Sequence, residues 1–370
     1  MIRALLRVAL GAVLLRPAAA AAGCPLRCEC SEAALTVKCV SKDLQGVPTG
    51  IPGYTRNLFI TGNQIGRVGP ESFRGLENVT TLALSNNRIT EIQSQTFSSL
   101  RSLRSLDLSS NQLVLVHPEA FSVPSRTLRE LNLSRSLYNH SSVSDLATSL
   151  RWSTLAGLQG LDLSGNGLVY LPDRIFSHLS SLRRLQLANN SLVAIHKGTF
   201  SGLDLLEELD LTVNSFKTLT AGALQELDGL PRARLQMSLN PYTCACGIEP
   251  LVSWLNASRA RVADSERLVC VFPAGLRNTS LLGVADLPLG CHQAEEGADL
   301  ALQTSYVFLG LVLGFVGLMF LFVLYLNRKG IKKRVYDMRD ACREVWEGYH
   351  YRYEIDSDPR LSQVSTTADM

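Results

Sequence analysis

From Thr55 to Asn240 the apolar residues recur in the spacing L-x-x-L-x-L-x-x-N. The copies are VTTLALSNN ending at Asn87, LRSLDLSSN at Asn111, LQGLDLSGN at Asn166, LRRLQLANN at Asn190 and LEELDLTVN at Asn214, with degenerate copies ending at Asn63 and Asn240. The intervals Asn63 to Asn87 to Asn111, and Asn166 to Asn190 to Asn214, are 24 residues each, inside the roughly 20–29 that marks a leucine-rich repeat. The gap of 55 between Asn111 and Asn166 holds one more copy, LRELNLSRS from Leu128 to Ser136, in which serine replaces the closing asparagine. That makes eight repeats over 55–240, with an insertion near 137–151. Phe73, Phe97, Phe121, Phe176 and Phe200 each follow their Asn by 10 residues; in the interrupted repeat Trp152 is expected to take that place, six residues late.

In the L-x-L core of each copy the two leucines point to one side, because side chains alternate along a strand. Stacked copies then form a parallel sheet with strands about 4.8 Å apart. The closing Asn can bond backbone groups that stacking buries, and the Phe set closes the core on the convex side. The prediction is an α/β leucine-rich-repeat solenoid. No repeat buries its apolar face alone, so both ends need caps, expected at 23–54 and 241–291.

The ends of the chain carry different patterns. Arg3 and Arg7, the apolar run Val8 to Leu15 and the small residues Ala20-Ala21-Ala22 predict a secretory signal peptide over 1–22. Tyr306 to Leu326 is 21 residues without a charge, enough to cross a hydrocarbon core of about 30 Å at about 1.5 Å per residue. Glu295, Glu296 and Asp299 precede it, and Arg328, Lys329, Lys332, Lys333 and Arg334 follow it. Basic residues stay cytoplasmic, so the expectation is a single-pass type I plasma-membrane protein with its N-terminus extracellular, a juxtamembrane stalk at 292–305 and a cytoplasmic tail at 327–370. In that tail Ile331, Val335, Met338, Cys342, Val345 and Tyr349 alternate at spacings of four and three. They predict an amphipathic helix over 331–348, ended by Gly348 and lying on the membrane or on a partner.

Charge and composition narrow the function. Basic residues number 36 against 33 acidic, a formal +3, which lacks the basic excess of a charge-driven nucleic-acid binder. Of nine cysteines, Cys24, Cys28, Cys30 and Cys39 precede the repeats and Cys244, Cys246, Cys270 and Cys291 follow them. Both quartets lie on the secretory side, where disulfides persist, and neither has the C-x2-C spacing usual for zinc. Cysteines two apart are badly placed to bond each other, so each should pair at longer range. The ninth, Cys342, lies in the apolar stripe on the reducing side, as a free thiol or a palmitoylation site.

N-glycosylation sequons fall at Asn78, Asn132, Asn139, Asn189, Asn256 and Asn278. Asn132 should face outward from the sheet and Asn139 opens the insertion, so glycans on both would cover the middle of the concave face. The central outward row reads Phe59, Ala83, Asp107, Asn132, Asp162, Gln186, Asp210 and Gln236, with Phe59 its single aromatic. An aromatic on a rigid strand is a typical interface anchor. It marks Asn57, Phe59 and Thr61, on one face of the first repeat, as partner-binding residues; partial cover by the N-terminal cap is the other account. Arg184, Glu208 and Arg234 should alternate in charge on adjacent strands, which cross-strand pairing explains. Catalysis and cofactors are not expected. Asp162 and Asp210 are two strands apart, about 10 Å, beyond the close carboxylate pair of retaining glycosidases. The six histidines show no metal-ligand spacing, and there is no G-x-S-x-G, H-E-x-x-H or phosphate loop.

The blocks CECSEAALTVKCV, LQTSYVFLG, LYLNRKGIKK and RDACREVWEGYHYRYEIDSDPRL resemble the trophoblast glycoprotein family of oncofetal cell-surface antigens, over nearly the whole mature chain from Cys24 to about Leu361. Resemblance to known leucine-rich-repeat caps implies the pairings Cys24–Cys30, Cys28–Cys39, Cys244–Cys270 and Cys246–Cys291. The family resemblance implies inhibition of β-catenin-dependent Wnt signalling at the plasma membrane, through a cell-surface protein of the Wnt receptor or ligand system. A role in adhesion or motility, linking the surface to a cytoplasmic adaptor, is the alternative. Two features depart from the family. Its C-terminus looks like the PDZ ligand Ser-Asp-Val, whereas this chain ends Thr367-Ala368-Asp369-Met370, and Ala368 lacks the hydroxyl that a type-I PDZ pocket bonds. The central insertion is also shorter here.

Overall fold

The computed structural model describes residues 23–124, 126–138, 140–284, 289 and 291–357, with backbone only at 140, 141, 291–307, 340 and 344–357. The expected signal peptide and the C-terminal residues 358–370 lie outside the described residues.

Ten strands make one sheet: β1 (Glu29–Ser31), β2 (Thr36–Lys38), β3 (Asn57–Phe59), β4 (Thr81–Ala83), β5 (Ser105–Asp107), β6 (Glu130–Asn132), β7 (Gly160–Asp162), β8 (Arg184–Gln186), β9 (Glu208–Asp210) and β10 (Arg234–Gln236), in that spatial order. The β1–β2 pair is an antiparallel hairpin; every later pair is parallel. The register aligns Leu58, Leu82, Leu106, Leu131, Leu161, Leu185, Leu209 and Leu235, one per repeat, all buried. On the convex side Phe73, Phe97 and Phe121 stack with ring centroids 5.6 and 6.4 Å apart, and Phe176 stacks on Phe200 at 6.5 Å. Leucine spacing thus builds one wall of the core and the Phe column the other.

The buried asparagines tie the coil together at the bend after each strand. Asn111 is representative: its Nδ2 donates to Leu84 O (3.1 Å) and Leu108 O (2.7 Å), and its Oδ1 accepts from Ile89 N (3.1 Å). One side chain thereby satisfies backbone groups of two repeats that have no water to bond. At Ser136 the shorter hydroxyl donates only to Leu108 O (2.9 Å), and the Ser136 backbone carbonyl accepts from Leu113 N (2.7 Å).

The insertion differs from expectation. It folds as helix α1 (His140–Trp152), in which Val143, Leu146, Ala147 and Leu150 are buried. Trp152 does not replace the missing Phe: it is 65% exposed. The insertion is long enough for three helical turns, and their aliphatic stripe fills the convex side where one aromatic fills it elsewhere.

At the N-terminal cap Cys24 bonds Cys30 and Cys28 bonds Cys39. At the C-terminal cap Cys244 bonds Cys270; helix α2 (Ala221–Asp228) belongs to the repeats and α3 (Glu249–Ser258) to the cap. Thr220 Oγ1 caps α2 by accepting from Ala223 N at 3.3 Å. Cys246 forms no disulfide in the structure; its Sγ lies 3.7 Å from Leu289 O. The Cys291 side chain is outside the described residues, so the Cys246–Cys291 pairing stays an expectation.

Residues 291–357 belong to a separate unit and form two helices, α4 (Cys291–Leu326) and α5 (Arg328–Ser357). Within α4, Phe308–Leu326 is long and apolar enough to cross a membrane, with mean hydropathy 2.6. The expected stalk, 292–305, is helical backbone within α4. The α5 helix does not stop at Gly348 but continues to Ser357. A glycine inside a helix costs only about 1 kcal/mol relative to alanine, and the first proline after it is Pro359.

Candidate functional site

The concave sheet presents two outward rows. One runs Asn57, Thr81, Ser105, Glu130, Gly160, Arg184, Glu208, Arg234, and the other Phe59, Ala83, Asp107, Asn132, Asp162, Gln186, Asp210, Gln236. Both follow from strand alternation in exact register.

Asn57, Phe59 and Thr61 lie together at the N-terminal end of this face, all half-buried. Pairing of β2 with β3 sets Thr36 beside Asn57 and the exposed Lys38 beside Phe59, and Asn57 Nδ2 donates to Thr36 Oγ1 at 3.3 Å. The cap therefore forms part of the same surface. Half-buried Phe59 stands between Lys38 and Ala83, with a cation and a small residue as neighbours.

Farther along, the face sinks into an open depression of about 530 Å³ between β5 and β8. Gly160 makes it. A Cβ there would stand 1.9 Å from Glu130 Oε2, so only glycine lets Glu130 lie across β7 and reach Arg184 Nη2 at 2.7 Å. Arg184 thus pairs two strands back with Glu130, not with the neighbouring Glu208 that simple alternation of charge suggests. The pair is partly exposed, which limits its contribution to about 1 kcal/mol.

The acidic row is held by its own chain. Asp107 Oδ1 accepts from Ser109 N (2.9 Å), Asp162 Oδ1 from Ser164 N (2.8 Å), and Asp210 Oδ1 from Thr212 N (2.9 Å) and Thr212 Oγ1 (2.7 Å). Asn132 takes the same role with Ser134 N (2.9 Å) and Ser134 Oγ (2.8 Å). These carboxylates cap the bend that ends each strand, which is a structural task the D-L-S/T spacing could have revealed. A glycan on Asn132 would use Nδ2 and leave Oδ1 free to keep these bonds.

Of the other sequons, Asn78, Asn189, Asn256 and Asn278 are exposed, and Asn139 lies outside the described residues. Cys342 is exposed on α5 and makes no disulfide. Among the described residues no group of His, Cys, Asp and Glu is arranged to hold a metal ion.

A parallel sheet of L-x-L strands, an asparagine ladder and disulfide-bonded ends define a capped leucine-rich-repeat protein, and the leucine-rich-repeat family model matches residues 54–113, 156–216 and 180–232. Human trophoblast glycoprotein is 46% identical over 363 residues, covering 94% of this chain and 86% of that protein. The rat protein is 45% identical over 370 residues with the same coverage. The crystal structure of human trophoblast glycoprotein, also called Wnt-activated inhibitory factor 1, superposes with a TM-score of 0.66 at 41% identity, covering 71% of this chain and 98% of that one. The chain belongs to the trophoblast glycoprotein family.

Proposed function

We propose that the chain is a single-pass type I cell-surface glycoprotein of the plasma membrane. Its repeat domain binds a protein of the Wnt receptor or ligand system and damps β-catenin-dependent signalling. The observation that carries this reading is the 46% identity with human trophoblast glycoprotein over 94% of the chain, whose solved structure bears the name Wnt-activated inhibitory factor. The apolar Phe308–Leu326 helix supports membrane anchorage. Exposure of four sequon asparagines is compatible with glycosylation.

The binding surface in this reading is the N-terminal concave face, where Phe59 stands on β3 and no sequon falls on β3, β4 or β5. A buried aromatic anchor contributes about 2 kcal/mol or more, near 30-fold in affinity. A β-catenin reporter in cells expressing wild type or Phe59→Ala at equal surface level tests both parts. Wild type should inhibit and the variant should need much higher expression to match it. Absence of inhibition by wild type would remove the function; equal inhibition by the variant would remove only the site.

A further inference from the structure

Where the chain enters its strands, each repeat contributes side chains at two positions three residues apart, and these stack into columns along one edge of the solenoid. One column runs Glu77, Arg101, Arg126; the other runs Arg56, Thr80, Arg104, Arg129, Gln159, Arg183, Glu207. Backbone bonds fix their adjacency: Arg104 N donates to Thr80 O (2.8 Å), Arg129 N to Arg104 O (2.7 Å), Gln159 N to Arg129 O (2.7 Å) and Glu207 N to Arg183 O (2.7 Å). Thr127 Oγ1, next to Arg126, reaches Arg101 O at 3.4 Å, which aligns the first column as well.

The same column is treated differently in two places. In the sixth and seventh repeats it is balanced, because Arg183 is ion-paired with Glu207. In the third and fourth, Arg101, Arg104, Arg126 and Arg129 are all exposed, and none forms an ion pair with a described residue. Arg129 Nη1 donates to Gly157 O at 2.8 Å, which positions the guanidinium without neutralising it. Its sequence neighbour Glu130 is committed to Arg184. With strands about 4.8 Å apart, four arginine positions fall on two adjacent turns of the same edge. Like charges side by side cost the fold free energy, so this arrangement calls for an anion from outside.

We propose that the strand-entry edge of the third and fourth repeats binds a sulfated polysaccharide of the extracellular glycosaminoglycan class. Guanidinium groups fork onto the oxygens of tetrahedral anions and stay charged at any physiological pH. An open edge with no enclosing walls suits a long chain bearing many sulfates better than one small anion, and repetition at the strand spacing gives successive sulfates successive partners. The sequon on this side, Asn78, directs Nδ2 to Gly53 O at 2.9 Å, toward the first repeat and away from the four arginines. The proposal does not depend on the Wnt reading, whose surface is the concave face around Phe59.

The test is retention of the detergent-solubilised full-length protein on immobilised heparin, with completely desulfated heparin as the comparison. Wild type should be retained at about 0.15 M salt. Arg101→Ser combined with Arg126→Ser should lower affinity about 10- to 100-fold and make the log–log salt slope shallower by about 2. Arg101→Lys with Arg126→Lys, which keeps charge and loses the fork, should preserve the slope while weakening binding less. Arg232→Ser with Arg234→Ser, exposed arginines of the last repeat, should bind as wild type. Absence of wild-type retention, equal binding to desulfated heparin, unchanged binding by the serine pair at positions 101 and 126, or an equal loss in the last-repeat variant would each overturn the proposal.

Discussion

At its first strand the stack is closed by the β1–β2 hairpin: Leu35 O accepts from Arg56 N and Asn57 N, while Cys39 N and Ser41 N donate to Phe59 O and Thr61 O. At its last strand no hairpin follows. Leu235 N donates to Arg261 O and Ala263 N to Leu235 O, and the Asp264 carboxylate accepts from Met237 N (3.0 Å) and Ser238 N (2.7 Å). A parallel ladder is directional, so its two ends lack different partners. The first end needs both donors and acceptors in register, which a strand supplies. At the last end a single parallel bridge, Leu235 to Val262, meets one donor and one acceptor, and one anionic side chain meets the donors left at the bend. The first cap is also stapled within 11 residues by Cys28–Cys39, whereas the last relies on a longer loop, Cys244–Cys270, and on a buried phenol.

That phenol is the place to break the comparison most severely. Tyr242 is fully buried and its hydroxyl donates to Met237 O at 2.9 Å, on the residue whose N–H bonds Asp264. Tyr242→Ala should cost about 3–5 kcal/mol, read as a fall in apparent melting temperature. Burial holds the Tyr242 hydroxyl far above the ordinary phenol range, and the Asp264 charge pushes the same way. Because the folded group keeps its proton when the unfolded one has lost it, the Tyr242 contribution is complete below about pH 10 and declines above it, by about 1.4 kcal/mol per pH unit. Tyr242→Phe should lose about 1 kcal/mol at neutral pH and flatten that alkaline decline; a decline as steep as in wild type would show that another group causes it.

Next in size are the staples. If they act by restricting the unfolded chain, loss of Cys244–Cys270, spanning 26 residues, should cost about 3.5 kcal/mol and loss of Cys28–Cys39, spanning 11, about 3 kcal/mol. Melting of Cys244→Ser against Cys28→Ser decides. A larger loss at the first cap would mean that its staple holds native hairpin geometry, on which β3 and the surface around Phe59 depend.

The two caps also differ in how far they could be read from residues. The hairpin and the strand register follow from L-x-L alternation and a 24-residue interval, so the rows containing Asn57, Phe59 and Asn132 were predictable residue by residue. Asp264 was not, because its role arises only when the chain folds back over a strand that ended 28 residues earlier. The Glu130–Arg184 contact was hidden for a related reason: it jumps over Gly160, and a pattern of nearest-neighbour strands has no term for reach. The α1 helix is legible in the residues, because Val143, Leu146, Ala147 and Leu150 carry a helical stripe; the recurring Phe interval points instead to Trp152, which faces solvent.

Ser136 sharpens the same lesson at the smallest scale, since it asks whether an interior repeat is closed as the ladder or as a cap. By the repeat consensus, Ser136→Asn restores the ladder and should stabilise the protein. The surroundings say otherwise. Ser136 is fully buried, and the acceptor that Asn Oδ1 provides to a preceding N–H elsewhere is already provided here by the backbone, through Leu113 N to Ser136 O at 2.7 Å. The parallel bridge between Leu113 and Leu137 draws the two segments together at this point, ahead of the turn that leads into α1. A larger amide would have to displace that contact, and overfilling a tight site costs about 1–3 kcal/mol. Ser136→Asn should therefore lower the melting temperature modestly, near the bottom of that range. A rise instead would show that the insertion leaves the ladder open, and that the fourth repeat tolerates serine without depending on it.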